Sequence, residues 1–194
     1  MGERPQSAST WIIGYGNPHR RDDGLGPYVV NRLCEDFHSE ARIAFCSLHQ
    51  LDVVLADELQ MADLVILVDA TVEDLERGIH WRRVQRETEL SPCGMHHFKP
   101  SMLLSLLETL YQRSPCIWLV SVQGSDFGFG EGLSLEAQEK ADRASLEIAR
   151  FCRRKLIDKE PSSVNDVHHG SQTRRRAKWR RGQISLSSMT TRTL

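Results

Sequence analysis

Residues 11–26 read W-I-I-G-Y-G-N-P-H-R-R-D-D-G-L-G, and the fold follows from how this stretch changes character. Trp11, Ile12 and Ile13 form a short apolar run bounded by Gly14, suited to a strand buried on both faces. A polar turn holding Asp22 and Asp23 comes next. Pro27 then fits the first turn of a helix, where its missing N–H costs nothing. Strand, loop and helix in this order open an α/β unit, and the loop lies where such sheets present their chemistry.

The pattern continues outward. Val30, Leu33, Cys34 and Phe37 recur at helical spacing and predict a first helix of about three turns. Residues 41–48 (A-R-I-A-F-C-S-L) read as a second strand, and Leu51, Val54, Leu55 and Leu59 as a second helix over 51–59. Residues 64–68 (L-V-I-L-V) are a continuous β-branched and leucine run, as expected at the centre of a parallel sheet, and the run ends on Asp69. Residues 78–85 look like an edge strand. Pro92 and Gly94 punctuate a loop. Pro100 opens a third helix carrying Leu103, Leu104, Leu106, Leu107 and Leu110. Residues 117–122 (I-W-L-V-S-V) form another buried strand. After a glycine-containing loop, Ser134 caps a long helix with Ala141, Ala144, Ile148, Phe151 and Cys152 on its stripe, ending near Leu156.

Strand and helix alternate, so the expected fold class is α/β: a three-layer α/β/α sandwich around a central, mostly parallel five-stranded sheet. Residues 1–10 are read as a flexible lead-in and 11–157 as one domain. Residues 158–194 form a basic tail in which no apolar period survives, expected to be disordered.

Charge narrows the partners. The net charge is −1 over 194 residues, but eight Lys/Arg against three acids fall from Asp158 onward. The body before it carries 17 basic and 23 acidic residues, which argues against nucleic acid as its main partner. Five cysteines, Cys34, Cys46, Cys93, Cys116 and Cys152, form an odd set without a Cys-x-x-Cys pair. With no signal-peptide pattern and no apolar run of membrane length, a cytoplasmic location is expected.

Three features fall at carboxyl ends of strands or at helix starts on one edge of the sheet: Asp22/Asp23, Asp69 and His96/His97. If the first and third strands are neighbours with the second outside the first, that edge is the switch-point crevice where α/β ligands bind. Two carboxylates and an imidazole converging there suit a divalent metal with open positions. Within the Asp pair, Asp22 is expected to brace the turn and Asp23 to do the chemistry. Cys93 lies three residues before His96, but one Cys-x-x-His without a second is weak evidence for zinc. Gly14-x-Gly16 lacks the third glycine of a dinucleotide loop, and no G-x-S-x-G elbow supports a serine nucleophile.

The stretch G-Y-G-N-P-H-R-R-D-D-G-L-G resembles the signature of the hydrogenase maturation endopeptidases. L-V-I-L-V-D-A, H-H-F-K-P-S-M-L-L-S-L and W-L-V-S-V-Q-G followed by G-L-S-L-E are similar to later blocks in the same order, so the resemblance spans about residues 11–156. It implies an endopeptidase that removes the C-terminal extension of the nickel–iron hydrogenase large-subunit precursor after nickel insertion. The nickel would be carried by the precursor, with no organic cofactor and neither nucleic acid nor membrane as partner. By motif position it implies Asp23, Asp69 and His96 as metal ligands, with His97 a rival for the last place, and Asp23 and Asp69 as the catalytic acids. Where this chain has Asp23 the family often has Glu, one methylene longer. Gly14 and Gly16 are expected to let a partner's backbone approach, and Asn17 to brace the loop. The competing readings are a nickel-sensing chaperone that docks without cutting, and a metallopeptidase with its own zinc.

Overall fold

A computed structural model of the protein describes residues 8–86 and 98–158. His96, His97, Cys93 and nearly all of the basic tail lie outside the described residues. Five strands form one sheet in the order β2-β1-β3-β5-β4: β1 Thr10–Tyr15, β2 Ile43–Leu48, β3 Leu64–Thr71, β4 Ile79–Arg83 and β5 Cys116–Gln123. Strands β2, β1, β3 and β5 run parallel, and β4 joins the edge antiparallel to β5. The expected α/β architecture is observed, and the condition under which the loops would meet in a switch-point crevice, the first strand between the second and third, is met.

Side chains alternate across each strand, so the sheet carries one core on each face. Ile13, Cys46, Leu67 and Leu119 face α2 (Leu55–Glu58) and α3 (Pro100–Tyr111). Ile12, Ile66, Val68 and Val120 face α1 (Leu25–Asp36) and α4 (Leu135–Asp158). Along the open edge, Trp81, Trp118 and Phe151 pack ring against ring with centroids 5.4–6.1 Å apart.

Several boundaries differ from the expectation for physical reasons. The second helix is a single turn, because Leu51 and Leu59 reach the core from flanking turns without needing a longer helix. The first helix starts two residues before Pro27, directly after a 3-10 turn at Arg21–Gly24. Cys34 is exposed although it keeps helical spacing with Leu33, and Leu110 is likewise exposed at the rim of α3. Asp69 does not end its strand: β3 continues to Thr71, with Asp69 paired to Ser121 of β5.

The glycines also have a different reason from the expected one. A Cβ on Gly14 would lie 2.0 Å from the carbonyl oxygen of Gly26, and one on Gly16 1.9 Å from that of Asp23. The clearance is needed by the chain's own backbone. Gly26 completes the contact, since its Cβ would meet the carbonyl oxygens of Tyr15 and Val68 at 2.5 and 2.6 Å. The start of α1 is therefore seated directly on the carboxyl ends of β1 and β3.

Candidate functional site

The site grows from that seat. Asp22 is fully buried and its carboxylate is consumed internally. It accepts the backbone N–H groups of Ser125 and Asp126 at 2.9 Å each and of Ser134 at 2.7 Å, together with the Ser134 hydroxyl at 2.9 Å. Burial works to raise its pKa, but the N–H donors outweigh it and hold the carboxyl below its ordinary value. One carboxylate thus ties the loop after β1 to the loop between β5 and α4. The two loops are also zipped by backbone hydrogen bonds from Arg21 N–H to the Gly130 carbonyl and from Gly130 N–H to the His19 carbonyl, 3.0 Å each. Arg21 stands at φ 45°, and its guanidinium pairs with Asp126. Such a left-handed residue persists where its surroundings over-determine it.

Asp23, the next residue, is only partly buried. Its carboxylate accepts the Asn17 N–H at 3.0 Å, and its own N–H donates to the Arg20 carbonyl at 3.0 Å. Asn17 closes the turn a second way, its side-chain oxygen accepting the His19 N–H at 3.0 Å. A single hydrogen bond orients the Asp23 carboxylate and leaves lone pairs for another ligand.

Asp69 completes the pair from β3. Burial pushes its carboxyl up to about 6, a hydrogen bond from the Tyr15 hydroxyl opposes the rise, and the negative charge of Asp23 adds to it. Tyr15, at the carboxyl end of β1, is held protonated by burial and by Asp69, so it remains a donor. The register places Gly14 beside Val68, hence Tyr15 next to Asp69 on one face. The same row continues through Ser121 to His80.

The structure therefore brings Asp23 and Asp69 together at the sheet's carboxyl edge, with Gly16, Asn17 and Asp22 behind them. Sequence reasoning missed Tyr15 and Ser125 and named Ser134 only as a helix cap, which it is through the Ala137 N–H, and not as a partner of Asp22; only the place of Tyr15 in the G-Y-G strand end could have signalled it. A buried carboxyl pushed up to about 6, beside a second and partly exposed carboxylate, can ligate a divalent cation or take up a proton. Among the described residues no three metal-ligating side chains converge, and His96 and His97 are not among those residues. Also among them, no helix is long and apolar enough to cross a membrane.

No family model and no curated protein matches the sequence. Solved structures do match the fold. A [NiFe] hydrogenase maturation protease HycI from Thermococcus kodakarensis KOD1 is similar at 23% identity and TM-score 0.60, over 75% of this chain and 93% of that one. The hydrogenase maturating endopeptidase HybD from E. coli is similar at 18% identity and TM-score 0.61, with the same coverage. A hydrogenase 2 maturation peptidase from Thaumarchaeota archaeon SCGC_AB-539-E09 shares 18% identity at TM-score 0.55, over 74% of this chain and 97% of its own. With its carboxylate pair at the carboxyl edge of a β2-β1-β3-β5-β4 sheet, this chain has the fold of the hydrogenase maturation proteases.

Proposed function

We propose that the protein is an endopeptidase that removes the C-terminal extension of a nickel–iron hydrogenase large-subunit precursor once nickel is in place. The observation that carries this reading is the pair of Asp23, on the 3-10 turn after β1, and Asp69, inside β3 within electrostatic reach of it. The solved structures named above are maturation proteases by description, and the motif resemblance over residues 11–156 points the same way.

In this reading nickel arrives as part of the substrate. Asp23 and Asp69 contact it through oxygen, with His96 as the third ligand. A set of so few donors recognises an ion already held by precursor thiolates without extracting it. Asp69 is mostly ionised at neutral pH, because its pKa of about 6 lies just below. It can therefore ligate the ion or accept a proton from an attacking water, while the Tyr15 hydroxyl orients it. Free thiols at Cys34, Cys46, Cys116 and Cys152 support a reducing compartment, the cytoplasm.

The deciding experiment incubates the protein with nickel-loaded and nickel-free precursor and weighs the products by mass spectrometry. Shortening of the nickel-loaded precursor alone is expected. An unshortened but bound precursor would make the protein a docking chaperone. One equivalent of tightly held zinc in the isolated protein would make it an ordinary metallopeptidase.

A further inference from the structure

Among the described residues an open cleft of about 410 Å³ is lined by Arg82, Arg83, Gln85, Arg86 and Ser101, and along β4 it is Arg82 that comes closest to the row of Asp69. We infer that this cleft is a specificity subsite of the peptidase proposed above, which binds a carboxylate of the substrate polypeptide about three to four residues from the bond held at Asp69.

Three observations carry the inference. The first is uncompensated charge. Arg86 is paired with Glu108 at 3.4 Å, whereas Arg82 and Arg83 are exposed and have no carboxylate partner among the described residues. Arg82, opposite Leu119, and Arg83, opposite Trp118, leave the strand on opposite faces, and each stands out on a chain whose first 157 residues carry more acids than bases. Guanidinium groups favour carboxylates through paired, charge-assisted hydrogen bonds.

The second observation is position. Arg82 lies opposite Leu119, one row from the Asp69–Ser121–His80 row and on the same face of the sheet. Its charge is felt at Tyr15, the hydrogen-bond partner of Asp69. From Asp69 to Arg82 is two strands across and one row down. At about 4.8 Å per strand and about 7 Å per row, that is about 12 Å, or three to four residues of extended chain. The third observation is access: among the described residues β4 is paired on one side only, which leaves it a backbone edge that an extended segment can join.

The carboxylate can be a side chain or the terminal carboxyl group, and peptides separate the two. The probe is a fluorescein-labelled peptide of about twelve residues with two glutamates and a free C-terminus. Binding to the full chain is followed by fluorescence anisotropy. Wild type is expected to bind it, and R82Q/R83Q to bind about fivefold more weakly with an unchanged circular-dichroism melt. Replacing the glutamates by glutamine assigns the side-chain source if affinity falls; amidating the C-terminus assigns the terminal one. A wild-type salt titration from about 50 to about 300 mM should weaken binding several-fold, a test that needs no variant. The inference is overturned by no binding to wild type, by equal binding to R82Q/R83Q, or by salt-independent binding. It is overturned too if a single-stranded oligonucleotide of about twelve nucleotides displaces the peptide more readily than unlabelled peptide does. Because the readout is binding, it can fail while precursor cleavage succeeds, and the converse also holds.

Discussion

Asp22 and Asp23 are adjacent, yet three backbone N–H groups occupy one carboxylate and a single N–H touches the other. Asp22→Ala leaves the Ser125, Asp126 and Ser134 donors without their acceptor, and an expected loss of about 3 kcal/mol follows, measurable by urea unfolding. Asp23→Asn keeps an acceptor for Asn17 and should change stability by less than about 1 kcal/mol, while abolishing precursor cleavage. Asp69 makes an opposite forecast. Its folded-state carboxyl holds a proton up to about pH 6, against an ordinary value of 3.8. The unfolded chain therefore ionises first, and stability falls as pH rises from about 4 to about 6. Asp69→Asn removes that penalty: it should be more stable than wild type by about 2 kcal/mol at pH 7 and converge with it towards pH 4. Equal stability at pH 7 would contradict the burial of this carboxylate. The two acids of the pair could be told apart only weakly in sequence, because the partners of Asp22 lie more than 100 residues away.

At the scale of elements, the closest approach of β1 to α1 is backbone on backbone. Gly14→Ala would drive a methyl group into the Gly26 carbonyl at 2.0 Å, and neither strand nor helix start has a rotamer to move. The expected result is a loss above about 3 kcal/mol or no soluble protein, read from a thermal melt. An unaffected melt would mean that α1 is seated elsewhere. These elements were legible to different degrees. L-V-I-L-V announced β3 because a strand covered on both faces needs an unbroken apolar run. Its end was misplaced because a carboxylate resembles a terminator, whereas the ladder to β5 carries Asp69 inside. Cys34 and Leu110 matched a helical stripe, but periodicity names a face and not where the neighbouring layer stops.

For the whole molecule, one sheet divides two cores, and Ile12 and Ile13 are both fully buried on opposite sides of it. Since they share a strand, the halves should not unfold separately. Ile12→Ala and Ile13→Ala should each cost about 3 kcal/mol, and tryptophan fluorescence and circular dichroism should report one coincident transition in both. Two separated transitions would show independent layers. The parallel sheet was legible because alternation of strand and helix leaves few topologies, while the strand order entered only as a condition. The link between the loops after β1 and β5 was not, because it depends on contacts that appear only once the sheet is assembled.

The extension of β3 past Val68 has a mechanical consequence. Asp69 is anchored in a ladder shared with β5, while Asp23 rides on a 3-10 turn held by short loop contacts. The pair is an anvil and a spring. In the reading proposed above, a guest ion of different radius would be met by displacement of Asp23, so the stiffness of the 17–23 turn, more than the sheet, would set the tolerance of the site. If the pair contacts a precursor-held ion as proposed, loosening that turn through Asn17→Gly should broaden the range of metals tolerated in the precursor, as read by cleavage of nickel-, zinc- and cadmium-loaded precursor, and an unchanged preference would place the selectivity elsewhere.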